Sequence, residues 1–299
     1  MMGKKRGWQQ RFFLSVNKYR REGGKTERKN LPYSRFTGLA SPKLCEGKQK
    51  KMPDKLHKTK GIVLRTVKYG ETSIIVTMFT ELFGVQSYLV NGVRTAAKKG
   101  TGKASLFQPS VILDLVVYHN ELKHLNRIKE FKWAFIYQHI LSNVPKNAVA
   151  LFMVEILTKC LKQPEGNPEL FQFTEDIFMK VDESSGTVMA NLPLFFALHL
   201  PFHFGFRITD NFSEENSYLD LQEGSFVTEQ PRHPHFLEDK QAAVTSQLLK
   251  VLQPEELEDI KLNHDFRRNL LYMYETYYAL HIPDFGTMKS LPVLREILS

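Results

Sequence analysis

Between residues 61 and 132 the apolar positions fall in short runs that turns separate. Four runs rich in β-branched residues occupy 62–67, 73–80, 85–93 and 111–118. The sequences between them favour tight turns: Lys68-Tyr69-Gly70-Glu71, Phe83-Gly84 and Asn91-Gly92. Runs of this length between such turns are typical of antiparallel strands. The pattern predicts a compact sheet, which we expect to close into a small β-barrel.

A fifth strand is predicted over 122–131, where two patterns compete. Leu122, Leu125, Ile128 and Phe131 recur every three residues, which suits a helix. The preceding His119-Asn120-Glu121 resembles a hairpin turn and favours a strand. Periodicity alone leaves both open. Five strands would match the OB-fold, a partly open barrel that binds single-stranded nucleic acid and oligosaccharides.

From about residue 147 the apolar positions follow a helical period. One continuous stripe comprises Val149, Phe152, Met153, Ile156, Leu157, Cys160 and Leu161. Such a stripe is the buried face of a helix, so we expect Cys160 to lie in the core. Further helices are predicted over 169–181, 191–206, 241–252, 265–280 and 291–298, with Asn191 as an N-cap.

These patterns together predict an α+β protein with an N-terminal OB-fold β-barrel followed by an all-helical domain. The predicted divisions are a basic extension at 1–51, the barrel at 52–132, and the helical domain at 133–299 with a hairpin or loop inserted at 207–240. No run reaches the ~18 consecutive apolar residues of a membrane span, and the start has no apolar segment of signal-peptide type. We therefore expect a cytoplasmic protein that does not enter the membrane.

The net charge of +9 is distributed unevenly along the chain. Residues 1–51 carry +12, residues 52–130 carry +6, and residues 131–299 carry −9. Most of the basic character therefore belongs to the first 51 residues. A basic barrel remains when that segment is set aside, and a basic surface favours a polyanionic partner.

The segment 1–51 is rich in cations and has few aliphatic residues, so it cannot bury a core. We expect it to be disordered. Three interpretations compete: a nucleic-acid-binding arm, a targeting sequence, or upstream sequence translated from a misassigned start. The third is favoured, with Met52 as the initiator, because the ordered pattern opens a few residues later at Gly61.

The polar loop 94–103 contains four cations, two glycines and no acid, which suits a polyanion. We expect cations on and around the barrel to neutralise phosphates, while an exposed aromatic residue such as Tyr69 or Tyr88 stacks on bases. Tyr88 is equally compatible with the core. The residues predicted to contact nucleic acid are Arg65, Lys68, Tyr69, Arg94, Lys98, Lys99, Lys103, Arg127 and Lys129.

The sequence offers little evidence for a catalytic or metal-binding site. We expect neither a catalytic residue nor a cofactor nor a metal. Cys45 and Cys160 are too few for a thiolate metal cluster. His199 and His203 have a metal-compatible i, i+4 spacing, but no HExxH-type glutamate accompanies them, so buried histidines are predicted. The Lys and Gly residues of 98–103 lack the strand-to-helix context of a phosphate-binding loop.

Short motifs in a fixed order resemble the RecO DNA-repair family over roughly 52–299. In the barrel these are Gly61-Ile62-Val63-Leu64-Arg65, Tyr69-Gly70-Glu71, Phe79-Thr80-Glu81 with Gly84, Gly92-Val93-Arg94, and Leu106-Phe107-Gln108-Pro109. In the helical part they are Phe204-Gly205-Phe206, Tyr218-Leu219-Asp220 with Gly224-Ser225-Phe226, and Arg267-Arg268-Asn269-Leu270-Leu271 before Lys289-Ser290-Leu291.

The resemblance implies an OB-fold that binds single- and double-stranded DNA and anneals complementary strands. It also implies action with RecR and single-strand-binding protein to load RecA in recombinational repair. The helical half would receive the C-terminal tail of single-strand-binding protein, and Arg267 is the predicted contact; the alternative is that Arg267 pairs with Asp265 or Glu275. Many relatives carry a four-cysteine zinc site where this chain has 207–240, and here that segment has no cysteine.

Two other functions stay open on the sequence alone. One is a protein–protein adaptor whose barrel binds a protein and whose acidic helical half docks elsewhere. The other is an RNA-binding OB protein of the translation apparatus, which shares the front half but does not predict the helical domain.

Overall fold

The computed structural model describes residues 55–93, 103–162 and 165–297. The extension 1–51 and three predicted contact residues, Arg94, Lys98 and Lys99, lie outside that range. Five strands form a closed barrel in the order β1-β2-β3-β5-β4. Their bounds are β1 Lys55–Tyr69, β2 Ser73–Thr80, β3 Gly84–Val90, β4 Ile112–His119 and β5 Asn126–Trp133. The predicted barrel is therefore confirmed.

The ambiguous segment 122–131 contains a hairpin loop followed by a strand. Leu122 lies in the loop and is 80% exposed, whereas Asn126 is buried and begins β5. The Asn126 side-chain oxygen accepts a hydrogen bond from the Asn120 backbone N–H at 3.2 Å, which closes the hairpin. The three-residue apolar spacing thus comes from a loop and a strand placed end to end.

Strand β1 is long enough to pair with two neighbouring strands. Its first half pairs with β4, from Lys55 opposite His119 to Ile62 opposite Ile112. Its second half pairs with β2, and the register shifts by one residue between Val63 and Arg65. A bulge of this kind bends the strand, and the bend lets the sheet close on itself.

Alternate side chains of the strands fill the barrel. The inward set includes Val63, Ile74, Val76, Met78, Tyr88, Val90, Leu113, Leu115 and Val117. Tyr88 is fully buried and burial raises its pKa well above the ordinary value, so its interpretation as a base-stacking residue was wrong. Gly61 is needed because a Cβ there would lie 2.8 Å from a methyl carbon of Leu115.

In the described part of the chain, six α-helices follow the barrel. They are α1 Val144–Cys160, α2 Pro168–Glu183, α3 Gly186–His199, α4 Asp239–Lys250, α5 His264–His281 and α6 Ser290–Ile297. Asparagine side chains cap three of them, since Asn143, Asn167 and Asn263 accept from backbone N–H groups at 3.0, 3.0 and 2.8 Å. Cys160 is buried on α1, as predicted.

The central helix α3 differs from its prediction in one respect. It begins at Gly186, so Asn191 is not its cap. Asn191 is instead buried within the helix, where its amide donates to the backbone oxygens of Leu257 and Ile260 at 3.2 and 2.8 Å. Among the described residues, Gly186–Phe204 is long and apolar enough to cross a membrane by length and composition, and 56% of it is buried inside the molecule.

The insert at 207–240 contains a small sheet. Strands β6 (Tyr218–Asp220), β7 (Ser225–Val227) and β8 (Phe236–Leu237) lie in the order β7-β6-β8. The hairpin predicted from the sequence is β6 with β7. Strand β8 was not predicted, because two residues carry no detectable period.

Helix α2 covers one end of the barrel's outer surface. Phe79 of β2 faces outward yet is fully buried, with its ring centroid 5.6 Å from that of Phe171. Lys60 of β1 donates to both carboxylate oxygens of Glu175 at 2.8 and 2.9 Å. Farther along the outer surface the residues are more accessible: Arg65, Val67, Tyr69 and Arg127 are exposed, and Ile75, Thr77, Ser87 and Leu89 are half-buried.

Candidate nucleic-acid interface

The uncovered outer surface of the barrel is defined by the strand register. Because alternate residues of a strand point to opposite sides, the residues between the inward set face outward. One outward row runs round the barrel through successive Cα partners: Val67, Ile75, Leu89, Arg127, Tyr118 and Leu56. The row crosses four strand spacings between Val67 and Tyr118, about 19 Å along the curved surface.

We call the outward residues on this side of β1, β2, β3 and β5 the open face. It consists of Arg65, Val67, Tyr69, Ile75, Thr77, Ser87, Leu89 and Arg127. None of the eight is acidic, and Arg65 and Arg127 are exposed near its two edges. The open face is therefore cationic, with apolar and hydroxyl side chains between the two guanidinium groups.

Three of the predicted contact residues come together on the open face. Arg65, Tyr69 and Arg127 are exposed, and within the described part of the chain their side chains make no hydrogen bond or ion pair. Unpaired guanidinium groups remain available for phosphate oxygens. Tyr69 is 53% exposed, so its ring is accessible for stacking.

The other predicted contacts are placed less favourably or are not described. Lys68 lies on the opposite side of β1, at the exposed rim beyond the core. Lys129 is on β5 with its ammonium group 3.5 Å from Glu130. Lys103 begins a short 3₁₀ turn that ends at Phe107, whose carbonyl accepts from the Thr66 hydroxyl at 2.6 Å. The Thr66 side chain is on the inward side of β1, so this contact lies on the side of the strand opposite to Arg65.

Sequence reasoning missed Tyr118 and Leu56 as surface residues. They are Cα partners on β4 and β1, both facing outward, and both are exposed. An apolar residue in a strand is compatible with either side of a barrel. The alternation with Val117 and Leu115 was the signal that could have separated them, since those two face inward.

The predicted tail contact Arg267 has an unexpected partner. Its guanidinium donates to the Leu262 backbone oxygen at 2.6 Å, and partial burial lowers its pKa. The alternative pairing is wrong, because Arg268 is the residue that pairs with Asp265, at 3.2 Å, and Glu275 accepts from the Met288 backbone N–H. Arg267 thus has no carboxylate partner among the described residues.

The histidines at i, i+4 pack against the aromatic core of the helical domain and are half-buried. His199 lies 3.3 Å from the Leu248 backbone oxygen, and burial lowers the pKa of both His199 and His203 to about 4. Their rings pack against phenylalanines, 4.2 Å from Phe195 and 5.2 Å from Phe173 between centroids. Both side chains are half-buried, so the prediction of buried histidines holds only in part.

Comparison with known proteins assigns the family. The two halves of the chain match the family models for Recombination protein O N terminal, at residues 52–137, and Recombination protein O C terminal, at residues 141–291. The chain belongs to the RecO family. Proteins named DNA repair protein RecO are similar to it in Bacteroides fragilis, at 32% identity over 81% of this chain and 99% of the relative, and in Phocaeicola vulgatus, at 30% over 82% and 100%. The Flavobacterium psychrophilum protein of that name is 31% identical over 81% and 99%.

The zinc site that the RecO resemblance implies does not fit this chain. The segment 207–240 contains no cysteine, and no group of three metal-binding side chains occurs among the described residues. Side-chain hydrogen bonds hold the small sheet instead. The Asn211 amide bonds both the N–H and the C=O of Phe226, at 2.9 and 2.8 Å, and His233 pairs with Asp220 at 3.2 Å.

Proposed function

We propose that this RecO-family protein is a non-enzymatic factor that binds single- and double-stranded DNA and anneals complementary strands. In this proposal it acts in the cytoplasm, on the chromosome, with RecR and single-strand-binding protein, and it promotes the loading of RecA in recombinational repair. Family membership supports the repair role. The observation that carries the DNA-binding part is the open face, which has no acid among its eight residues and two guanidinium groups without a partner among the described residues.

The proposed mechanism of binding is electrostatic. Arg65 and Arg127 lie on either side of a surface of small hydroxyl and apolar side chains, so a phosphate backbone can cross the strands without meeting a carboxylate. Each neutralised phosphate releases condensed counterions, and affinity then falls as salt rises. In this proposal the loop 94–103 supplies four further cations.

Binding is tested by fluorescence anisotropy of labelled oligonucleotides over a salt series. The variant Arg65→Ala/Arg127→Ala is expected to reduce the slope of log K against log salt by about 0.7 per lost contact on single strands and about 0.9 on duplex. The matched control is Lys132→Ala on β5, since Lys132 already pairs with Asp114 at 3.5 Å near the covered end. An unchanged slope in the double variant contradicts the assignment.

The same experiment separates DNA from RNA. If an RNA strand of equal sequence competes several-fold more strongly than DNA, the RNA-binding alternative replaces the proposal. Annealing is then followed with two complementary strands, one of them coated with single-strand-binding protein. If the protein binds DNA but does not accelerate annealing, only the DNA-binding part of the proposal stands.

For the helical half we propose that Arg267 contacts the acidic tail of single-strand-binding protein. The support is a guanidinium held by one backbone oxygen, with further N–H groups available and no carboxylate neighbour among the described residues. A tail peptide is expected to bind with a Kd near 1 μM, about −8 kcal/mol. Arg267→Ala should weaken it, whereas the neighbouring Arg268→Ala, which loses only its pair with Asp265, should not. Equal effects contradict this site.

A further inference from the structure

The outward row continues past Arg127 into an apolar end. Tyr118 is 37% exposed and Leu56 is 50% exposed. They face outward as direct Cα partners, and Tyr118 is in turn the partner of Arg127. Leu125, on the hairpin between β4 and β5, is exposed as well. One arginine therefore adjoins an exposed aromatic ring that is backed by an aliphatic side chain.

The ring of Tyr118 differs from the packed aromatic rings of the barrel and shares its exposure with Tyr69. Phe107 and Phe131 pack together with centroids 4.9 Å apart, and Phe83 stacks on His119 at 3.8 Å. Within the described part of the chain, Tyr118 has neither a ring partner nor a hydrogen bond. Its accessible face is thus available to a flat ligand.

The charges around this ring favour a polyanion. Lys58 is exposed on the same outward side of β1 as Leu56, and Arg127 lies on the other flank of Tyr118. The exposed acid Glu130, also on the outward side, lies 3.5 Å from the ammonium group of Lys129. The hairpin 120–125 contributes one acid, Glu121, together with Lys123 and His124. An aromatic ring between cations is the arrangement in which bases stack while phosphates are neutralised.

We propose that Tyr118, backed by Leu56, is a base-stacking platform that makes the barrel prefer single-stranded over double-stranded DNA. The inference rests on the DNA binding proposed above and extends the site beyond the open face, onto β4 and the first half of β1. A ring can stack on a base only when the face of that base is uncovered. Bases of a single strand meet that condition, whereas duplex bases are covered by their neighbours.

Single-strand and duplex affinities of the full chain are measured at one salt concentration for Tyr118→Ala, Tyr118→Leu and Tyr118→Phe. The alanine and leucine variants are expected to weaken single-strand binding about 5- to 150-fold, the range that loss of one stacking contact produces. Duplex affinity should stay within about twofold. Tyr118→Phe keeps the ring and should retain single-strand binding, and the control is Tyr272→Ala on α5, a tyrosine of nearly equal exposure at 36%.

The outcomes separate this inference from the proposed function. If the unaltered protein binds neither DNA form, the proposed function fails first. If it binds DNA but Tyr118→Ala and Tyr118→Leu leave single-strand affinity unchanged, the platform is wrong while the function stands, and the apolar end then belongs to a protein partner. Equal loss on single strands and duplex also overturns it. Tyr118→Leu keeps apolar bulk, so it decides the question if the alanine variant unfolds.

Discussion

The two ends of the barrel's outer surface are built from the same strands but differ in solvent exposure. At one end the outward residues Ile62 and Phe79 are fully buried beneath the helical domain, whereas at the other Val67 and Tyr69 are about half exposed. All four are apolar or aromatic and all lie on β1 or β2. The outward orientation of an apolar side chain therefore does not determine whether it is buried or exposed. That depends on whether another part of the protein packs over it.

The two ends also differ in how their cations are used. At the covered end Lys60 is held by Glu175, and Lys132 lies 3.5 Å from Asp114. On the open face Arg65 and Arg127 have no such partner among the described residues. A cationic side chain thus links the barrel to the helical domain at one end, whereas the two arginines of the open face have no carboxylate partner among the described residues.

The largest expected difference between the two ends is in stability. Phe79→Ala removes a fully buried ring from beneath Phe171 and should lower the free energy of unfolding by about 3–5 kcal/mol. Tyr69→Ala, on the same outer surface but 53% exposed, should change it by less than about 0.5 kcal/mol. Urea titrations followed by circular dichroism measure both. Similar losses in the two variants would mean that the open end is covered too.

The ion pair at the covered end is expected to have a smaller effect. Lys60→Met leaves the buried Glu175 carboxylate without its cation and should destabilise the fold by about 1–3 kcal/mol, a value reduced because the lysine is partly exposed. Lys60→Met/Glu175→Leu should recover most of the loss, because it removes the stranded charge as well. A double variant as unstable as the single one would show that the pair itself contributes the stability. Neither change should alter the salt dependence of DNA binding.

The loop lysines test whether the cationic surface extends beyond the open face. Lys98→Ala/Lys99→Ala/Lys103→Ala should weaken DNA binding to a similar degree across sequences and reduce the salt slope by up to about 0.7 per lost contact on single strands. Stability should not change. If affinity and slope both stay at the values of the unaltered protein, the loop does not contact DNA.

The smallest effect is expected from deletion of the basic extension. A chain beginning at Met52 should unfold cooperatively and bind DNA at physiological salt about as well as the full chain, because the open face lies entirely within the barrel. Anisotropy at two salt concentrations measures this. A loss confined to low salt would show that 1–51 adds non-specific phosphate contacts, whereas loss of cooperative unfolding would contradict the prediction.

Sequence patterns were sufficient to predict the bounds of several strands and helices. The strands β2 and β4 and most helices follow their predicted ranges within a few residues, because side-chain alternation and helical period are local properties. A prediction failed, or stayed open, where a distant residue decides the structure. Asn191 resembled a cap, but it lies within α3 and its amide donates to the backbone oxygens of Leu257 and Ile260. The apolar spacing after Leu122 left helix and strand open, and pairing with β4 makes Asn126–Trp133 a strand.

The sequence by itself determined the α+β architecture, the uneven charge along the chain and the ordered motifs of the RecO family. These three features can be predicted from local spacing, because each depends on residues that are close together in the chain. Only the tertiary structure decided that Tyr88 is core while Tyr118 is surface, and that Arg127 is unpaired among the described residues while Lys60 is bound to Glu175. Those outcomes depend on strand register and on helix α2 packing against the barrel, contacts between residues up to 115 positions apart.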